Sequence, residues 1–265
     1  MSFTQSRMFR LKPIHLGILA SMAAALMVNF LPEGWLEGPR EAYFDMLTQW
    51  SGTPVSDRIV VVDIDRKTVQ SSENQVWNRG NTARLVEAIA KGGPSVIAYD
   101  LVFSTNCEPD RPENKALAEA IGRTPAVLGF LIAEGEIAVP EPHPPLAIAK
   151  SLTVPELWFI DAAEASCPIF QEKAASAAAT FLVGDEDARV RRVQAYSIIG
   201  SDPYPALAME AVRLVEHVNT PILGGTPPWL KIGAHKFSLA EDGALRFVAS
   251  RNERQIGRTV SAIDV

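Results

Sequence analysis

Residues 59–103 constrain the fold more than any other stretch, because they read as one strand-helix-strand unit with carboxylates at the ends of both strands. The run Ile59-Val60-Val61-Val62-Asp63-Ile64-Asp65 is β-branched almost throughout, the composition of a parallel strand covered on both faces. A helix follows, with Asn81 as its N-cap, Leu85, Val86, Ile89 and Ala90 as its apolar stripe, and Gly92-Gly93-Pro94 as its stop. Glu87 and Lys91 are spaced to pair one turn apart on it. Ser95-Val96-Ile97-Ala98-Tyr99-Asp100 supplies the second strand and runs on into Leu101-Val102-Phe103. Such a crossover makes the strands parallel and right-handed, which predicts that Asp63, Asp65 and Asp100 gather near one edge of the sheet.

Residues 114–121 then read as a helix with Leu117, Ala118 and Ile121 inward, and residues 124–132 as a third strand. Strand, helix, strand, helix, strand predicts a doubly wound, mostly parallel α/β sheet. Five prolines between residues 139 and 155 break any regular element there. Residues 177–183 and 190–199 are candidate strands joined by a turn at 184–187, and residues 204–218 form a helix with Leu207, Ala208, Ala211, Val212 and Val215 inward. Residues 229–232, 236–239 and 245–248 suggest a small antiparallel meander, after which residues 259–265 begin a new element.

The amino-terminal end has a different character. Arg7, Arg10 and Lys12 stand without an acidic residue, and residues 14–31 are uncharged, with His15, Ser21 and Asn29 as the strongly polar side chains. Eighteen residues rise about 27 Å as a helix, close to the ~30 Å hydrocarbon core, so the pattern predicts one transmembrane helix. The basic flank then puts residues 1–13 in the cytoplasm and residues 32–265 outside it as one extracytoplasmic domain. A signal peptide cleaved near Ala23-Ala24-Ala25 and a buried helix are the alternatives. Gly38-Pro39 opens a further helix with Tyr43, Phe44, Leu47 and Trp50 along one side and Asp45 among them.

A formal net charge of −6 argues against a nucleic-acid partner. No cofactor-binding or catalytic signature is present: there is no glycine-rich phosphate loop, no His-Glu-x-x-His and no Gly-x-Ser-x-Gly. The four histidines are scattered, and a calcium loop at residues 185–190 fails where Arg189 and Val190 stand, so no metal site is expected. The constellation with chemical potential is Asp63, Asp65 and Asp100, because open α/β sheets take ligands beyond the carboxyl ends of their strands. These carboxylates suit a divalent cation or polar ligand, or magnesium-assisted hydrolysis. Alternatively they cap the turns that follow and pair with Arg79 or Arg84. Cys107 and Cys167 are either a single disulfide, closing a loop of about 60 residues for roughly 4 kcal/mol, or two unpaired thiols.

Arg40-x-x-Tyr43-Phe44-Asp45, Val61-Val62-Asp63-Ile64-Asp65, Trp77-x-Arg79, Ala98-Tyr99-Asp100-Leu101-Val102-Phe103 and Asp185-x-Asp187-x-x-x-Arg191-Arg192 together resemble the CHASE2 extracellular sensor domain. Trp77-Asn78-Arg79 replaces the Trp-Pro-Trp usual in the family, and Asp187-Ala188 replaces an Asp-Gly pair. The resemblance implies a non-enzymatic sensor at the bacterial inner membrane with its domain in the periplasm or outside the cell. Related chains carry a cytoplasmic output, such as a nucleotide cyclase or kinase, after further membrane helices. Arg79 stands with the three aspartates as a candidate ligand contact. In the family a Ser-Ala-x-Asp-Val stretch like Ser261-Ala262-Ile263-Asp264-Val265 precedes one more core strand and further membrane helices, so the expectation is either that this is a fragment of a longer chain or that a partner chain or homo-oligomer fills the open sheet edge. A structural or assembly subunit of a membrane complex is the alternative function.

Overall fold

The computed structural model describes residues 13–30, 35–51, 56–133, 140–149, 152, 159–180, 189–240, 242–247 and 258–265. Arg7, Arg10, Lys12 and the expected turn at 184–187 lie outside them. The chain divides into two units, residues 1–54 and residues 55–265.

The first unit holds α1 (Pro13–Phe30) and α2 (Glu37–Ser51). The transmembrane expectation for α1 is corrected: among the described residues, no helix is long and apolar enough to cross a membrane. Pro13 and His15 occupy the first turn of α1, so its uninterrupted apolar part is shorter than the 18 residues of the helix. On α2, Glu41 is buried 3.6 Å from the Arg40 guanidinium, while Tyr43, Leu47 and Trp50 are exposed.

The second unit begins with β1 (Val61–Asp63) and α3 (Arg66–Ser71), then α4 (Arg79–Lys91), β2 (Ile97–Tyr99), α5 (Pro112–Ile121) and β3 (Ala126–Ala133). α4 starts at Asn78, whose side chain accepts from the Asn81 amide at 2.9 Å, three residues before the expected cap. Its Leu85 and Val86 are buried as the pattern requires, but Glu87 pairs with Arg123 at 3.1 Å rather than with Lys91. β3 is the hub. Its first half pairs in parallel with β2 on one side and with β7 (Ser176–Ala179) on the other, and its second half pairs antiparallel with β6 (Ala162–Glu164).

Around that hub the chain adds β4 (Ala147–Ile148), β5 (Phe159–Ile160) and α6 (Pro168–Gln171), then β8 (Arg192–Gln194), β9 (Tyr196–Ile199) and β10 (Asp202–Pro205). α7 (Leu207–Val215), β11 (Ile222–Gly224), β12 (Trp229–Ile232), β13 (His235–Ser238), β14 (Ala244–Arg246) and β15 (Thr259–Ser261) complete it. Of the expected meander, residues 229–232 and 236–239 do pair, as β12 and β13, but the third strand is β11 on the other side of β12, with β4 added in parallel on it, and β14 pairs instead with β8.

The doubly wound sheet is therefore corrected to a mixed α/β arrangement of several small sheets. β1 does not join β2; it pairs in parallel with β15, Val61 opposite Thr259 and Asp63 opposite Ser261. Two physical causes act together. Prolines such as Pro125, Pro205 and Pro221 lack the amide that would extend a ladder. The β-branched run at β1 is also not covered on two faces, since Ile59 is 63% and Val60 58% exposed.

The core lies in three patches. Val86, Tyr99, Leu117, Leu128 and Phe170 join α4, α5 and α6 to β2 and β3. Tyr196, Leu223, Leu230 and Ile232 lie beneath the meander. Between them Phe130 meets Tyr204 edge-on at 5.3 Å, and the Tyr204 hydroxyl, its pKa pushed up to about 12 by burial, donates to Pro140 O at 3.0 Å. On α7 the buried Arg213 donates to both carboxylate oxygens of buried Glu210 and to Val218 O.

Candidate functional site

The residues singled out from the sequence separate into three environments. Asp65 sits just past β1 as the N-cap of α3, where Oδ1 accepts from the Thr68 amide at 2.8 Å and from the Ser261 hydroxyl at 3.1 Å. Thr68 Oγ1 meets Ser261 Oγ at 3.0 Å and accepts from the Ile263 amide at 3.2 Å. The Thr68 amide above all, then the Thr68 and Ser261 hydroxyls, hold the Asp65 carboxyl below its usual range. Lys67 Nζ closes the same junction against Asp264 at 2.9 Å. The aspartate is thus the clasp between α3 and the segment that follows β15.

Asp63 and Asp100 are exposed, and neither carboxylate has a hydrogen-bond or ion-pair partner among the described residues. They end strands of different sheets. Among the described residues no group of three His, Cys, Asp or Glu side chains is arranged to hold a metal ion. The edge on which the three carboxylates were expected to meet does not form, because β1 pairs with β15 and β2 with β3, in separate sheets.

Arg79 has a third role. Its guanidinium donates to Thr105 O, to Asn106 O at 2.6 Å and to Asn114 Oδ1 at 2.8 Å, and stacks over the Phe170 ring at 5.1 Å. Burial first, and the neighbouring Arg111 second, lower its pKa. Asn114, fully buried on α5, donates in turn to Asn106 O at 2.9 Å and Glu108 O at 2.7 Å. The loop held by these two side chains carries Cys107, which is bridged to Cys167 at the N-cap of α6 with a Cα–Cα distance of 5.4 Å. Asn114 escaped sequence reasoning, although a polar residue in register with Leu117, Ala118 and Ile121 on an inward stripe was its signal.

The concave feature closest to these residues is a groove of about 290 Å³ between α3, α4 and the turn after β15. Trp77, Ser71, Ser72 and Arg84 line it, over Leu85, Ala88 and Ile263. The Trp77 indole is fixed by donating to Thr82 Oγ1 at 3.0 Å. Ser72 Oγ donates to Val69 O at 2.6 Å, and Ser71 Oγ to Lys67 O at 2.8 Å.

The family model for the CHASE2 domain matches residues 20–265. The chain belongs to the CHASE2 domain family. CHASE2 is a family of extracellular sensory domains, so the whole second unit, groove included, falls within a sensory fold. Neither a curated protein nor a solved structure matches the chain. Within this CHASE2 domain, Trp77 and Arg79 have different tasks: Trp77 walls the groove and Arg79 ties down the disulfide loop.

Proposed function

We propose that this CHASE2 domain is a non-enzymatic, extracytoplasmic input module that acts by binding, and that the groove between α3, α4 and the turn after β15 is its input site. The observation that carries the proposal is the position of that groove. Its walls come from the body of the domain, and Ala262, Ile263 and Val265 come from the segment clasped to it through Asp65, Thr68 and Ser261. An occupant therefore touches both and biases how firmly β15 stays on β1. The bridge between Cys107 and Cys167 suits an oxidising compartment. The exposed Ile59, Val60 and Val61 flank a two-stranded sheet, a surface to which a partner chain can add and receive the signal.

The test is hydrogen exchange on the full chain against a small-molecule library, run beside an Ala88→Trp variant whose groove is filled. Compounds that slow exchange in peptides covering residues 68–88 and 259–265 of the parent, and not of the variant, support the assignment. Hits that act equally on both place the input elsewhere.

A further inference from the structure

We infer that the groove selects a small molecule bearing a carboxylate or phosphate oxyanion on a flat apolar body, and that Arg84 is the residue that reads the charge. The inference rests on the groove being the input site. The lining supplies the two halves of such recognition.

The apolar half is the Trp77 ring with Leu85, Ala88 and Ile263. Because the Trp77 N–H is engaged by Thr82, the ring is held in place and offers its surface without a rotamer search. The volume, about 290 Å³, stands at the small end of ligand pockets, which run from ~300 to ~1,000 Å³, and so suits a small molecule rather than a peptide.

The charged half is Arg84. It is exposed on α4, and of its five N–H donors one, on Nη2, is given to Asn81 Oδ1 at 2.5 Å. It has no carboxylate partner among the described residues, whereas Arg123 pairs with Glu87 and Lys67 pairs with Asp264. Ser71 and Ser72 already donate their hydroxyl protons to backbone carbonyls, so the remaining Arg84 N–H groups are the lining's chief uncommitted side-chain donors. No Asp or Glu side chain lines the groove. A planar fork of free donors beside an aromatic wall matches a bidentate oxyanion attached to a ring.

Binding would also tighten the clasp. A ligand held between Arg84 and Ile263 favours the state with β15 docked, by mass action on that state alone.

The inference is tested with three probes of one shape: benzoate, phenyl phosphate and neutral benzamide. Each is titrated into the full 265-residue chain at constant pH and ionic strength, with hydrogen exchange in residues 68–88 and 259–265 as the readout. The expected result is that one or both anions protect these peptides at concentrations at least about tenfold below benzamide. Arg84→Ala should abolish that difference, Arg84→Lys should retain part of it, and Arg123→Ala, a change of equal charge outside the groove, should leave it unaltered. Equal affinity for benzamide and the anions, or an unchanged preference in Arg84→Ala, overturns the inference while leaving the groove as input site. Protection by none of the three, with the library also silent, overturns both.

Discussion

Replacing Cys107 with Ser and Cys167 with Ala removes the disulfide with the least collateral damage. Cys107 is exposed, so a hydroxyl there stays hydrated, whereas Cys167 is only 2% exposed, so alanine avoids burying an unpaired polar group. The bridge spans 60 residues of sequence, for which loop-closure entropy in the unfolded chain gives about 4 kcal/mol. The folded state changes little, because Arg79 and Asn114 hold residues 105–108 independently of the sulfur atoms. The full entropic contribution should then appear in the unfolding free energy, a large share of a typical 5–15 kcal/mol total. For a domain of this size it corresponds to a fall in Tm of about 8–16 °C. Urea unfolding of the parent and the double variant, with equal slopes, measures it. A loss below about 1 kcal/mol would refute the loop-entropy argument. A loss well above about 5 kcal/mol would instead show that Arg79 and Asn114 do not hold the loop alone.

Glu210→Gln keeps the side-chain volume but leaves Arg213 charged and buried without its carboxylate; the expected cost is about 3–5 kcal/mol in chemical denaturation, and a cost under about 1 kcal/mol would contradict the burial of the pair. Gly129→Ala places a Cβ 2.6 Å from Tyr99 O in the central ladder and should destabilise by about 1–3 kcal/mol, read as a shift in the urea midpoint. Because the folded pKa of Asp65 lies below its ordinary 3.8, its stabilisation is present above that value and is lost as pH falls through the folded one. Asp65→Asn, which keeps a cap acceptor without the charge, should flatten the fall in Tm as the pH drops below the ordinary carboxyl value of 3.8, and an identical acid profile would show that the clasp is not electrostatic.

Much of the local structure was legible because it is written in periodicity. The inward stripes of α4 and α5 follow from residues that neighbour one another in sequence, whereas α7 buries Met209, Glu210 and Arg213 and leaves Ala208, expected inward, exposed. What was not legible was pairing. β1 reads as a strand buried on two faces because β-branched residues favour extended backbone wherever it lies; propensity carries no statement of burial or of partner. Its actual partner, β15, is joined through Ser261 to Asp65 across 196 residues of sequence, a distance at which no pattern constrains register. The prolines that divide the ladders were visible, yet their effect depends on which edge each amide would have served.

The same distinction explains the site. Three aspartates at strand ends suggested a shared ligand edge, an inference that holds only if both strands belong to one sheet. With β1 paired to β15 and β2 to β3, Asp65 caps α3 and binds Ser261, and Asp63 and Asp100 end strands of different sheets. Arg79 and Arg84, five residues apart on α4, then divide the work between them. Arg79 is half-buried over Phe170 and fixes the disulfide loop, while Arg84 keeps its donors facing the groove. Helical geometry rotates residues five apart by about 140°, so one guanidinium faces the disulfide loop while the other meets solvent, and a recognition charge is left where a ligand can reach it.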